Sequence, residues 1–94
     1  MSAARPTSWI EDVEEVTDAD GQTVRAGDRV VYATTWGRSP RLRFGHVLHI
    51  ARHERGYGSS HVKIRIQPED DAWGPAQTVY IEAALGRFVK VAAR

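Results

Sequence analysis

Ninety-four residues suffice for one domain with one core, since chains of this size bury roughly 60–70% of their unfolded surface and cannot divide that core further. The absence of Cys excludes disulfides, thiolate metal sites and sulfur nucleophiles, a usage that fits a reducing compartment. Net charge is only +1, yet Met1–Asp28 carries seven acids against two Arg, whereas Arg29–Arg65 carries seven Arg and one Lys against Glu54, together with all four His.

Met1–Pro6 lacks the apolar stretch of a signal peptide, and no run reaches the roughly 18 apolar residues of a membrane span. A cytoplasmic protein without a membrane partner is therefore expected. Residues 1–7 hold nothing to offset the entropy of ordering, which predicts a disordered tail ahead of a single domain over residues 8–94. Ser8-Trp9-Ile10-Glu11 fits a helical capping box, and an extended arm fits equally well. Asp18-Ala19-Asp20-Gly21, between Val13, Val16 and Val24, predicts a hairpin turn. Ala26-Gly27-Asp28 is a second turn, leading into the β-branched and aromatic strand Arg29–Thr35. Trp36–Arg41 contains Gly37 and Pro40 and predicts a loop.

From Leu42 to Ile50 a period of two places Leu42, Phe44, His46, Leu48 and Ile50 in one phase, with Gly45 permitting a kink or bulge. The same stretch also suits a helix over 46–54. Gly45 and Gly56-Tyr57-Gly58 would hold that helix to about two turns, short of the usual ~11 residues, so a bent strand is preferred. His61–Gln67 alternates without exception, sending Val62, Ile64 and Ile66 inward and His61, Lys63 and Arg65 outward. Pro68–Gln77 reads as a loop, Thr78–Ile81 as a strand, Glu82–Gly86 as one tight helical turn ended by Gly, and Arg87–Val91 as the last strand.

Gly27-Asp28-Arg29-Val30-Val31-Tyr32, Gly45-His46-Val47 and the turn before Phe88-Val89-Lys90-Val91 give an order that resembles the SH3-like small β-barrel over roughly residues 27–91. The resemblance implies an all-β fold, a five-stranded small barrel with an N-terminal hairpin or arm and one short helical turn. Asp20-Gly21-Gln22-Thr23-Val24 is similar to the leading hairpin of small barrel proteins of actinobacteria and their phages. The acidic and aromatic signature of peptide-binding SH3 domains is missing, so proline-motif recognition is not implied.

No nucleophile elbow, facing carboxylate pair or phosphate-cradling glycine loop is present, so an enzyme is not expected. His46, His49 and His53 would share one face only on a helix, and neither a metal nor another cofactor is expected. The basic block is the sharper signal. Arg38, Arg41 and Arg43 near the first loop, Arg52 and Arg55 near the second, and Lys63 and Arg65 on a strand could form one surface, with Trp36, Tyr57 and Trp73 in loops as contact aromatics. Ordinary solubilising charges, and Trp side chains lidding a barrel end, compete with that reading. Two functions follow. One is a protein-interaction module, for which a phage origin fits, that uses the Arg-rich and Trp-bearing loops. The alternative is a nucleic-acid-binding barrel using the basic face of residues 38–65. The acids Glu11, Asp12, Glu14, Glu15, Asp18 and Asp20 could cover the Arg surface of the same molecule or of a second copy, which leaves a homo-oligomer open.

Overall fold

A computed structural model describes residues 9–36, 38–56, 59–69 and 78–93. The tail expected over residues 1–7 lies outside them. The chain forms β1 (Trp9–Asp12), β2 (Glu15–Thr17), β3 (Thr23–Arg25), β4 (Arg29–Trp36), β5 (Ser39–Gly56), β6 (Ser59–Pro68), β7 (Val79–Glu82), a 3-10 turn (Ala83–Leu85) and β8 (Phe88–Lys90). Strands run in the order β7-β6-β5-β4-β8, β1 adds to β5, and β2-β3 form a separate hairpin. All pairings are antiparallel. The architecture is mostly β, and the large sheet is open, because its edge strands β7 and β8 are not paired with each other.

The segment with alternative readings at the N-terminus is an extended arm. Trp9–Asp12 pairs with Ala51–His53 of β5. The hairpin expected at Asp18–Gly21 is present as β2-β3, and Gly21 and Gly27 supply the positive φ (82° and 93°) that the two turns need. Residues 46–54 are strand throughout. The loop expected over Trp36–Arg41 is far shorter, because β4 runs to Trp36 and Ser39 already pairs with it. Pro40 is tolerated inside β5 since β6 reaches back only to Gly45, so that among the described residues no strand on that side requires the missing N–H.

β5 is the organising strand. Eighteen residues at about 3.3 Å each would span nearly 60 Å, whereas the longest dimension of the molecule is 34 Å. The strand must therefore bend. Two devices achieve this. At Gly45 a Cβ would lie 2.5 Å from Ile66 Cγ2 and 2.7 Å from the Gln67 carbonyl oxygen, so glycine alone permits the approach of β6. Three residues on, the register slips between Val47 and His49, a bulge that leaves Leu48 without an opposite number.

The bulge reverses the phase expected for Leu42–Ile50. Before it, Leu42 and Phe44 face outward, 75% and 42% exposed, while Gly45 and Val47 face the core; after it, Ile50 is buried. The core comprises Val24, Val30, Tyr32, Val47, Ile50, Ile64, Ile66 and Phe88. The alternation read for β6 holds on its inward side, with Ile64 and Ile66 fully buried.

One carboxylate ties the small hairpin to the end of the chain. Asp18, only 6% exposed, accepts from the backbone N–H of Asp20 (2.9 Å) and Gln22 (2.8 Å) through Oδ1, and from Lys90 N–H (2.7 Å) and Gln22 Nε2 (3.2 Å) through Oδ2. Burial opposes its charge, but these four bonds outweigh it and hold the pKa below the ordinary 3.8. Its stabilising contribution is thus full above that value and is lost as pH falls through the lower folded-state value.

Two outcomes follow. Gly45→Ala lowers stability by about 1–3 kcal/mol through overpacking against β6, read as a reduced urea midpoint; an unchanged midpoint would mean that β5 and β6 part freely there. Asp18→Ala leaves three backbone N–H groups without their acceptor and costs about 2–4 kcal/mol. It also flattens the acid limb of a Tm-versus-pH curve below about pH 4, and an acid limb equal to that of the wild type would exclude the clamp.

Candidate functional site

The pleat distributes the basic block over both sides of the sheet. Arg43 is paired with Tyr32 and Arg41 with Thr34, so both lie in the core-facing phase of β4-β5, Arg43 beside the core residue Tyr32 and Arg41 nearer the hairpin end. Arg38 is exposed in the turn between these strands. Arg52 is paired with Val62 in the inward phase, whereas Lys63 and Arg65 lie in the outward phase of β6. Trp36 ends β4 and Arg55 lies within β5, but their side chains, like the whole of Tyr57 and Trp73, fall outside the described residues. Register therefore does not gather Arg41, Arg43 and Arg52 with Lys63 and Arg65 on one face.

Part of the charge is matched within the chain. The acidic arm meets the Arg block where Glu11 Oε1 accepts from Arg52 Nε at 2.8 Å. Arg29 is a structural residue, its side chain 9% exposed and its Nε 2.6 Å from Glu69 Oε2. The Arg29 guanidinium also lies 4.3 Å from the centroid of Phe44. Where Arg52 projects, a cleft of about 500 Å³ opens among Val16, Arg52, Ser60, Val62 and Ala83 at the unclosed end of the sheet. No protein-family model, curated protein or solved structure matches the chain.

Two outward surfaces result. The first lies on β8, β4 and the first half of β5, where Val31 stands between Val89 and Phe44, and Ala33 stands opposite Leu42. Five apolar side chains adjoin there on the solvent side. The second lies on the latter half of β5, on β6 and on β7. His49 is opposite Arg65, His53 opposite His61, and Tyr80 opposite Arg65. His53 stacks on His61 with ring centroids 6.2 Å apart and meets Tyr80 edge-on at 6.3 Å.

The sequence pattern puts Leu42 and Phe44 in one phase with Ile50 and so does not show the first surface; of the second it shows His61, Lys63 and Arg65 as outward, but not Tyr80 beside them. Tyr80 was nonetheless legible, since its neighbours Val79 and Ile81 are β-branched and take the inward phase. Among the described residues no group of three His, Asp or Glu is disposed to hold a metal ion, and no helix is long and apolar enough to cross a membrane.

Two imidazoles, those of His49 and His53, favour the neutral form. Burial lowers the pKa of His53 below 6.5, and the charges of Lys63, His61 and His49 push it the same way. Burial also lowers His49, helped by Arg65 and opposed by Asp12. The unfolded chain takes up these protons below about pH 6.5 while the folded chain resists them, so folding stability declines as pH falls from about 7 to 5. His53→Phe, which keeps a ring in the stack, reduces that slope; urea midpoints at about pH 7, 6 and 5 measure it, and an identical slope in the variant would remove His53 from the account.

Proposed function

We propose that the chain is a non-enzymatic module that docks a protein partner through the outward apolar face of β8, β4 and β5. The observation that carries this reading is the 75% exposure of Leu42 and 42% exposure of Phe44 on one face, side by side with Val31 and Ala33. Large apolar side chains are common on surfaces singly, but adjoining ones on a regular sheet face mark contact sites. Arg29 and Glu69 at one end, and the exposed Arg38 at the hairpin tip, supply a polar rim of the kind that borders such patches.

The reading keeps the Arg-rich hairpin expected from the sequence, and moves the anchor from the loop Trp residues to the sheet. We further infer that the open sheet is a variant of the SH3-like small barrel. The order β7-β6-β5-β4-β8 and the 3-10 turn before the last strand support that inference.

Leu42→Thr combined with Phe44→Thr tests the docking reading, because Thr suits an exposed strand and the fold should lose no more than about 1 kcal/mol. Proteins cross-linked to the wild-type chain in its native cell should drop about tenfold or more with the double variant, the scale expected when interface anchors are truncated. The same proteins recovered in the same amounts would overturn the reading.

A further inference from the structure

The second outward surface has a different chemistry. Tyr80, on edge strand β7, is 45% exposed. Arg65 stands directly opposite it and Lys63 two pairs further along, on the same face and opposite Glu82. Arg65 Cζ lies 5.8 Å and Lys63 Nζ 6.0 Å from the centre of the Tyr80 ring. Arg65 is steadied in this position, since its Nε donates to Thr78 Oγ1 at 3.1 Å, which leaves the other guanidinium nitrogens for a further acceptor. His53 backs the ring edge-on from β5. Along the outer edge of β7 a cleft of about 220 Å³ runs between Tyr80, Thr34, Leu85 and Arg87, so that a third cation lines the same cleft as the aromatic.

We propose that this face binds single-stranded nucleic acid, an unpaired base stacking on the exposed part of Tyr80 while the adjoining phosphates meet Lys63 and Arg65. The pieces match what such ligands require. A π-face stacks any base, and cations a few ångströms from the ring lie where the backbone of a stacked nucleotide passes. Apolar neighbours are few on this face, which sets it apart from the docking surface on β8-β4-β5. The acids nearby are Glu82, opposite Lys63, and Asp12, close to His49. They hold the local excess of positive charge to a modest level, so stacking, and not charge alone, must supply selectivity. Duplex nucleic acid keeps its base faces stacked internally and cannot use Tyr80 in this way. The proposal does not rest on the docking reading and uses none of its residues.

Fluorescence anisotropy with a labelled oligothymidylate of about 12 nucleotides, within the span one small β domain covers, tests it at about 50 and 200 mM salt. The wild-type chain should bind the single strand at low salt, more weakly at high salt, and the corresponding duplex more weakly still. Tyr80→Ala should weaken binding about tenfold or more, the scale of one lost base stack, while Tyr80→Phe, which keeps the ring, should restore it. Lys63→Gln with Arg65→Gln should weaken binding and flatten the salt dependence. The Leu42→Thr, Phe44→Thr chain should bind like the wild type. Absence of binding at low salt, equal binding by Tyr80→Ala, or duplex bound as tightly as the single strand would each overturn the proposal. Circular dichroism and melting of each variant confirm the fold, and the Lys63, Arg65 variant gives an independent reading should Tyr80→Ala fail to fold.

Discussion

The bend in β5 is the constraint on which the remainder of the structure depends. One strand pairs with β4 over its first half, with β6 from Gly45 to Gly56, and with the N-terminal arm near Ala51. A straight strand could not hold all three partners within 34 Å. Bending requires a place where two backbones come unusually close and a place where the ladder slips. Gly45 provides the first, beside Ile66 and Gln67, and Leu48 provides the second. Both lie within four residues, so the change of direction is local. The two halves of the strand each keep a regular ladder.

A thin core needs its covers fastened. Val24 of the small β2-β3 hairpin is fully buried among residues of the main sheet, but a three-residue pairing cannot hold itself in place. Asp18 supplies the attachment by reaching across to Lys90 N–H, while Ala19 N–H donates to the Phe88 carbonyl oxygen at 3.1 Å. The hairpin is thus tied to the last strand at the point where that strand pairs with β4. With total stability of small domains only about 5–15 kcal/mol, a cluster of four hydrogen bonds on one buried carboxylate is a large share, and it makes the domain sensitive to acid.

Local chemistry was legible in the sequence wherever one residue type decides the outcome. Asp18–Gly21 and Ala26–Asp28 demanded turns, the turn before Phe88 needed a glycine, and Val62, Ile64 and Ile66 could face only the core. What escaped was set by partners distant in sequence. Nothing within Leu42–Ile50 shows that the bulge falls at Leu48 and not at Gly45, because the slip depends on how β6 lines up after its own hairpin. A displacement of one residue sends every later side chain to the other face. The same event dispersed the basic block. Arg43 and Arg65 belong to one charge cluster in the sequence but to opposite phases of the sheet, a fact of register that composition cannot carry.

The bulge also explains why one small domain can present two unlike surfaces. Before Leu48 the outward phase of β5 holds Leu42, Phe44 and His46; after it that phase holds half-buried His49 and the buried Ala51 and His53, next to Lys63, Arg65 and the exposed Tyr80. Without the slip, Ile50 would follow Phe44 to the outside, and the apolar strip of Leu42, Phe44, Leu48 and Ile50 would run on past the middle of β5, broken only by His46. Such a long, flat, exposed apolar ladder invites uncontrolled pairing with other chains. Interrupting it confines the apolar strip to the hairpin end of β5, returns Ile50 to the core, and gives the remaining outer face to cations and aromatics. The physical event that closes the core is therefore the one that divides the outside into an apolar surface and a charged one.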